Sequence, residues 1–193
     1  MTLNNELLPH QREAVEKLIK LRVGALFMEQ GTGKTITVIE MSRIRYEAGR
    51  IDSVIWLCPC SAKQNIKREI LKQAPPELAK IFIICGIETL STSIRANAFL
   101  LSHVQAHKTF LVVDESLLVK NHKACRTKNI TAISKYCPYR VILNGTPISK
   151  TKQICLRSST SLTGEYLDIV HFGVLPQIIW NMTNSENCPE CSM

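Results

Sequence analysis

Apolar residues in this chain are grouped into five short runs that alternate with longer, mixed stretches. The runs are rich in β-branched residues and read GALFME (24–29), SVIWLC (53–58), KIFIIC (80–85), TFLVVDE (109–115) and RVILNGT (140–146). The stretches between them, such as KTITVIEMSRIRYEAG and SAKQNIKREILKQA, have a helix-like pattern. Near-continuous apolar strands separated by helices are typical of a parallel sheet that is covered on both faces. The pattern therefore predicts a doubly wound α/β domain over about residues 1–150.

The junction between the first run and the first helix, FMEQGTGKTITVIEM (27–41), has the features of a phosphate-binding loop. Glycines at 31 and 33 allow the backbone to turn so that successive N–H groups point at one oxyanion, and the helix N-terminus adds its positive end. Met28 stands where the usual pattern has its first glycine. The side chain of Lys34 is expected to reach the β- and γ-phosphates, and the hydroxyl of Thr35 to bind Mg²⁺. The predicted contacts to nucleotide come from Gln30, Gly31, Thr32, Gly33, Lys34 and Thr35.

Two adjacent carboxylates, Asp114 and Glu115, end the fourth apolar run. The carboxyl ends of parallel strands form the edge at which an α/β sheet binds its ligand. At that edge Asp114 is predicted to hold Mg²⁺, and Glu115 is predicted to orient and deprotonate an attacking water. A simple strand-ending turn rich in Asp, Glu and Ser is the alternative interpretation of these residues.

Five segments carry a resemblance to a known family: LLPHQREAV, MEQGTGKT, LCPCSAKQNIKREI, VVDESLLVKN and LNGTPI. In this order they resemble motifs of the N-terminal RecA-like lobe of the Swi/Snf-related ATPases, in helicase superfamily two, and especially of the short forms common in phages. The resemblance implies a RecA-like P-loop fold, ATP and Mg²⁺ as ligands, and ATP hydrolysis that drives movement along double-stranded DNA. It also implies that Gln11 reads adenine and that Lys34 and Glu115 are catalytic.

The same resemblance implies residues that contact nucleic acid or couple it to the nucleotide: Ser61, Lys63, Lys120, Asn121, Thr146 and Pro147. The second motif departs from the family, because Ser116 and Leu117 replace its usual Ala-His, so the role of that histidine is not carried over. The basic residues Lys63, Lys67 and Arg68 fit either a phosphate-backbone contact or the solvated face of a helix.

Charge is unevenly distributed along the chain. Residues 1–150 carry 22 Lys and Arg against 12 Asp and Glu, whereas residues 151–193 carry 2 against 4. A basic body favours a polyanionic partner such as nucleic acid, although a solvated basic surface would have the same composition. The family resemblance implies that this partner is double-stranded DNA. A non-catalytic module that binds nucleotide or DNA, or a different phosphate-loop NTPase, remains an alternative to the DNA-dependent ATPase.

The segment after NGTPISK (residues 151–193) departs abruptly from the family, which continues with a helical segment and a second RecA-like lobe. Insertion of one nucleotide at Lys150, with permitted codons, restores K-N-E-A-D and a continuation that resembles the family. The segment is therefore predicted to be an out-of-frame, irregular and poorly ordered tail, with the second lobe missing from this chain. A genuine but unrelated tail is the alternative.

The chain has no signal pattern and no apolar run near the roughly 18 residues that a membrane helix needs, so we expect a cytoplasmic protein with no membrane partner, in the host cytoplasm if it is phage-encoded. Its eight cysteines lack a disulfide-framework spacing, which favours reduced thiols. The pair in CPEC, Cys188 and Cys191, is half of what a zinc site requires.

Overall fold

A computed structural model of the chain describes residues 2–114, 125–145 and 179–181. Six strands alternate with helices and share one sheet. The helices are α1 (Pro9–Leu18), α2 (Lys34–Glu47), α3 (Lys63–Gln73), α4 (Pro76–Ala79), α5 (Thr89–Thr92), α6 (Ile94–Ala106) and α7 (Cys125–Ser134), with a short 3₁₀ turn at Cys60–Ala62. The strands are β1 (Val23–Phe27), β2 (Ser53–Cys58), β3 (Phe82–Gly86), β4 (Thr109–Val113), β5 (Tyr139–Asn144) and β6 (Ile179–Asn181).

The sheet has the strand order β3-β2-β4-β5-β1-β6, and every recorded pairing is parallel. Strand β5 lies between β1 and β4, with Phe27 paired to Asn144 and Val113 paired to Ile142. The loops that leave the carboxyl ends of β1, β5 and β4 therefore emerge side by side at one edge of the sheet. The RecA-like α/β fold predicted from the sequence is confirmed.

Each face of the sheet carries its own hydrophobic core, because successive strand residues point to opposite faces. On one face Leu26 and Trp56 pack against apolar residues of α1, α2 and α3. On the other face Phe27 and Leu57 pack against residues of α5, α6 and α7. This double burial explains why the strands read as continuous apolar runs rather than alternating ones.

Burial also extends to charged and polar side chains at the amino ends of the strands. Arg45 of α2 is only 2% exposed, and its guanidinium lies 4.4 Å from the ring centroid of Phe110 and 4.7 Å from that of Tyr139. Its Nη2 donates hydrogen bonds to the carbonyl oxygens of Leu18 and Leu21. Burial lowers the pKa of Arg45 to about 10, so the side chain remains charged at neutral pH.

A second polar group at this edge joins α6 to β2. The Nε2 of His103 lies 2.6 Å from the Oγ of Ser53, the first residue of β2. The His103 ring stacks on that of His107 at 4.3 Å, and His107 in turn lies 3.5 Å from Asp52. Burial, and next the neighbouring His107, lower the pKa of His103.

The structure adds elements that the sequence pattern did not predict. Helix α1 covers the segment PHQREAVEKL, for which the sequence pattern indicated a role of Gln11 but no helix. Helices α4 and α5 are single turns. Strand β6 lies within the tail and pairs with β1, from Ala25 with Ile179 to Phe27 with Asn181. In the described ranges no helix is long and apolar enough to cross a membrane, and the five cysteines there are free thiols.

Candidate nucleotide-binding site

The loop between β1 and α2 has the backbone of a phosphate-binding turn. Gly31 and Gly33 have φ angles of 81° and 90°, which residues other than glycine rarely adopt. Gly33 is the N-cap of α2, so the N–H groups in the first turn of that helix, which have no partner within the helix, lie directly after the loop. Both predicted glycines are therefore required by the backbone, and the loop can hold an anion at the helix N-terminus.

Lys34 is the first residue of α2, and its amino group is directed back over the loop. Its Nζ donates hydrogen bonds to the carbonyl oxygens of Met28 (3.0 Å) and Glu29 (3.1 Å). The carbonyl of Glu29 also accepts from the hydroxyl of Thr32 at 2.7 Å. The ammonium group is thus held at the mouth of the loop, where a polyphosphate would meet it, and Thr35 follows on the same helical turn.

Gln11 of α1 is tied to the phosphate loop rather than to solvent. It is 5% exposed, its Nε2 donates to the carbonyl oxygen of Thr32 (2.9 Å), and its Oε1 accepts from the N–H of Leu8 (3.0 Å). The Nε2 of His10 lies 3.2 Å from the same Thr32 oxygen, a contact that requires a proton on Nε2. A carboxamide has two donors and two acceptor positions, so Gln11 keeps one of each. The remaining N–H donor of Gln11 is complementary to the N7 acceptor of adenine, and its remaining acceptor position is complementary to the N6–H donor.

Gly33 is confined by this contact as well as by its φ angle. A Cβ added to Gly33 would collide with the Nε2 of Gln11, whereas a Cβ added to Gly31 would meet nothing within 4 Å. The two glycines therefore differ in surroundings although they share a left-handed conformation.

Asp114 follows β4 at the carboxyl edge of the sheet, as the sequence predicted. Its N–H donates to the carbonyl oxygen of Leu57 at 2.7 Å, and its side chain is half-buried. This hydrogen bond places Asp114 beside the carboxyl end of β2, and burial, and next the carboxylate of Asp114, raise the pKa of Cys58 there to about 12. Since β5 alone separates β4 from β1, Asp114 and the phosphate loop lie at the same carboxyl edge of the sheet, one strand apart.

Strand β5 connects to the phosphate loop through Asn144. The carbonyl oxygen of Asn144 accepts from the N–H of Met28 (3.2 Å), and its Oδ1 accepts from the N–H of Gly145 (3.0 Å). The Cγ of Gln30 is 3.7 Å from where a Cβ of Gly145 would lie. Asn144 and His10 lie within the segments LNGTPI and LLPHQREAV, but the sequence analysis assigned neither a role at the site.

The segment after β2 lies at the same edge of the sheet. Ser61 is exposed within the 3₁₀ turn, and Lys63 begins α3. The N–H of Cys60 donates to the Oε2 of Glu88 at 2.9 Å, which holds this turn against the residues that follow β3. Ser61 and Lys63 therefore lie at the carboxyl edge of the sheet beyond β2, whereas Arg68 donates to the neighbouring Asn65 on the exposed face of α3.

Comparison with known proteins supports the family resemblance. The chain is 28% identical over 160 residues, 76% of its length, to the SWI/SNF-related matrix-associated actin-dependent regulator of chromatin subfamily A-like protein 1 homolog of Caenorhabditis elegans. It superposes on the Sulfolobus solfataricus SWI2/SNF2 ATPase core in complex with dsDNA with a TM-score of 0.62 and 21% identity over 77% of the chain. The chain resembles a lobe of the Swi/Snf-related ATPases.

A second structure, of the Sulfolobus solfataricus SWI2/SNF2 ATPase core domain, matches the chain with a TM-score of 0.63 and 18% identity over 92% of the chain. No protein-family model matches the chain. The lobe spans 22% of the length of the curated relative and 34% and 38% of the two structures. The comparisons therefore show similarity to one part of larger ATPases.

Most of the predicted nucleotide contacts lie at the carboxyl edge of the sheet, in α1, in the loop and first turn that follow β1, or just after β4. They are Gln11, Gln30, Gly31, Thr32, Gly33, Lys34, Thr35 and Asp114. The predicted base and several coupling residues lie outside the described ranges, namely Glu115, Lys120, Asn121, Thr146 and Pro147.

Proposed function

We propose that the chain is the ATP-binding lobe of a DNA-dependent ATPase that hydrolyses ATP to move on double-stranded DNA. The observation that carries this proposal is a left-handed glycine loop that leads into the N-terminus of α2 and Lys34, at the carboxyl edge of the sheet and one strand away from Asp114. The similarity to the SWI2/SNF2 ATPase core supports it.

The residues present fit ATP and Mg²⁺. Backbone N–H groups of the phosphate loop and the Nζ of Lys34 would bind the β- and γ-phosphates, and Gln11 would hold adenine with its remaining donor and acceptor. The hydroxyl of Thr35 and the carboxylate of Asp114 would hold Mg²⁺, which neutralises charge on the phosphates. Glu115 would accept the proton of the attacking water.

The basic surface of the lobe and Ser61 and Lys63 at the carboxyl edge of the sheet are proposed to contact the DNA backbone. Thr146 and Pro147, which follow Asn144 and Gly145, are proposed to couple nucleotide binding to the grip on DNA, together with Lys120 and Asn121. A related core is named as a complex with dsDNA, which supports this choice of partner.

Turnover is expected to need a second RecA-like lobe. In this class of ATPase an arginine from outside the phosphate-loop lobe stabilises the transition state and contributes about 10³–10⁵-fold in rate. The 193-residue chain is therefore expected to bind Mg·ATP and to hydrolyse it very slowly.

The test is ATP turnover with and without double-stranded DNA. It should be measured on the chain and on a longer protein expressed from a gene in which one nucleotide is restored at Lys150. We expect DNA-stimulated turnover from the longer protein and almost none from the chain. A non-catalytic nucleotide- or DNA-binding module is indicated instead if the longer protein binds ATP but shows no DNA-stimulated hydrolysis.

A further inference from the structure

Helices α1 and α2 lie side by side, run in the same direction and are joined by hydrogen bonds at both ends. At the amino ends, Gln11 of α1 donates to the carbonyl oxygen of Thr32, directly before the N-cap of α2. At the carboxyl ends, Arg45 in the last turn of α2 donates to the carbonyl oxygens of Leu18 (3.2 Å) and Leu21 (3.0 Å). The helix that carries the proposed adenine-binding side chain is therefore tied at two separate places to the helix that follows the phosphate loop.

The contact at the carboxyl ends restrains α1 in a way that apolar packing does not. Leu18 is the last residue of α1, and Leu21 lies in the turn that leads to β1. Carbonyl groups at a helix C-terminus lack partners within the helix and carry partial negative charge, so a guanidinium group is suited to them. Between its ends α1 meets the core through Ala14 and Val15, and such hydrophobic contacts are non-directional. The hydrogen bonds therefore set the position of α1 along its axis and its rotation about that axis.

Packing alone does not account for an arginine at position 45. The guanidinium group is enclosed between the rings of Phe110 and Tyr139, and the residue is 2% exposed. Within the described residues Arg45 has no ion pair, and its Nε and Nη1 are buried without a hydrogen-bond partner. An unpaired buried charge costs stability, and a methionine would fill similar space without that cost. What the arginine supplies and a methionine lacks is the pair of hydrogen bonds to α1.

The orientation of Gln11 decides which base it can bind. Its Nε2 and Oε1 each keep one position beyond the hydrogen bonds to Thr32 and Leu8. Adenine offers an acceptor at N7 and a donor at N6, whereas guanine offers acceptors at both N7 and O6. A carboxamide held in one orientation therefore favours adenine, because its acceptor would face the O6 of guanine. This selection weakens if α1 can shift or rotate relative to the phosphate loop.

We propose that Arg45 is a positioning residue for nucleotide selection, which holds α1 so that Gln11 meets adenine at a fixed place relative to the phosphate loop. Arg45 lies at the amino edge of the sheet, so it acts through α1 rather than on the nucleotide itself. The inference rests on the proposed function, since it takes Gln11 to be the adenine-binding residue. It assigns to Arg45 a role in the choice of base and none in the binding of phosphates, which falls to the loop and Lys34.

The test compares the affinities of the 193-residue chain for Mg·ATP, Mg·GTP and Mg·tripolyphosphate by isothermal titration calorimetry. In the wild-type chain we expect ATP to bind about tenfold more tightly than GTP, within the range for one bidentate contact to a base edge. Arg45→Met should reduce this preference to about twofold or less, while the affinity for tripolyphosphate stays within about twofold of the wild-type value. Gln11→Ala should have the same effect, and the double variant should lose no more than either single variant, because both substitutions act on one contact.

Three further variants separate this role from general support of the fold. Arg45→Lys is the rescue variant and should keep the wild-type preference, because an ammonium group can donate to the same two carbonyl oxygens. Arg43→Met removes an arginine that pairs with Glu40 and Glu47 on the outer face of the same helix, and it should change none of the three affinities. Urea denaturation shows whether each variant is folded. Arg45→Gln, whose shorter side chain keeps an N–H donor, replaces Arg45→Met if the methionine variant does not fold, and it is also expected to reduce the preference.

Two outcomes overturn the inference and leave the proposed function intact. One is an unchanged preference for ATP over GTP in a folded Arg45→Met or Arg45→Gln variant. The other is a parallel loss of affinity for ATP, GTP and tripolyphosphate, which would make Arg45 a general support of the loop. A wild-type chain without preference for ATP, or a Gln11→Ala variant that keeps it, overturns the assignment of adenine to Gln11 and the inference with it. The proposed function itself fails if the wild-type chain does not bind Mg·ATP.

Discussion

Substitution of Gly33 by alanine should destabilise the lobe more than the same substitution at Gly31. Both glycines have left-handed φ angles, and for an alanine that conformation costs about 1–2 kcal/mol. The lower entropy of the unfolded alanine chain offsets about 0.4–1 kcal/mol of this cost. Gly31→Ala should therefore lower the free energy of unfolding by about 1 kcal/mol, because its Cβ meets no neighbour.

Gly33→Ala carries an additional cost because its Cβ displaces the side chain of Gln11. That side chain is held by hydrogen bonds to Thr32 and Leu8, each of which contributes about 1 kcal/mol. The expected total is about 3 kcal/mol for Gly33→Ala and about 2 kcal/mol for Gln11→Ala. In the double variant no carboxamide remains to be displaced, so the total should be about 3 kcal/mol rather than the additive value of about 5 kcal/mol.

Urea denaturation of the two single variants and the double variant measures this coupling of about 2 kcal/mol directly. Gly49→Ala, at a left-handed glycine of φ 64° with no neighbour within 4 Å, is a control remote from the phosphate loop. Additive effects of the Gly33 and Gln11 substitutions, or equal losses for Gly31→Ala and Gly33→Ala, would refute the inferred contact between α1 and the loop.

Four further predictions concern nucleotide, turnover, pH and the tail. Lys34→Ala should abolish Mg·ATP binding measured by calorimetry, because it removes the ammonium group at the loop mouth; unchanged affinity would contradict the site. Glu115→Gln in a two-lobed protein should keep ATP binding and lose turnover. Turnover of the variant at the wild-type rate would exclude Glu115 as the base. The depressed pKa of His103 means that the unfolded chain binds its proton first as pH falls, so stability should be full above about pH 6.5 and decline below it. His103→Gln should reduce that decline, and an identical pH profile would rule out His103 as its source. Truncation after Lys150 should leave ATP binding unchanged and cost less than about 2 kcal/mol, since it removes only the three paired residues of β6 from the described sheet; a larger loss of stability would mean that the tail is a real structural element.

The sequence predicted those parts of the lobe that local pattern determines. Strand β2 has the predicted bounds, and the other four predicted strands differ from theirs by a few residues, because buried parallel strands leave an unbroken apolar run. The phosphate loop was predictable because left-handed turns at a helix N-terminus need glycine at fixed positions. The bond between Gln11 and Thr32 was not predictable in this way, since it joins residues that are 21 positions apart.

Charged side chains show the same limit of local pattern. Arg45 lies in the helical stretch SRIRYE, where arginine normally reaches solvent, and neighbouring Arg43 does form ion pairs with Glu40 and Glu47 on the outer face of α2. Arg45 is instead enclosed between Phe110 and Tyr139, which belong to β4 and β5. Only the order of strands in the sheet brings these rings together over α2.

Strand order also provides a physical route from nucleotide to DNA in the proposed function. Strand β5 is the one element between the strand that enters the phosphate loop and the strand that ends at Asp114. The backbone carbonyl of Asn144 accepts a hydrogen bond from the Met28 N–H, and its side-chain Oδ1 accepts one from the Gly145 N–H. A movement of the loop on ATP binding would therefore act first on Asn144 and Gly145. The next residues in the chain are Thr146 and Pro147, to which the family resemblance assigns coupling to DNA. In the proposed function, coupling through β5 would need no distant pathway, because one backbone hydrogen bond joins the phosphate loop to Asn144, which stands two positions before Thr146 in the sequence.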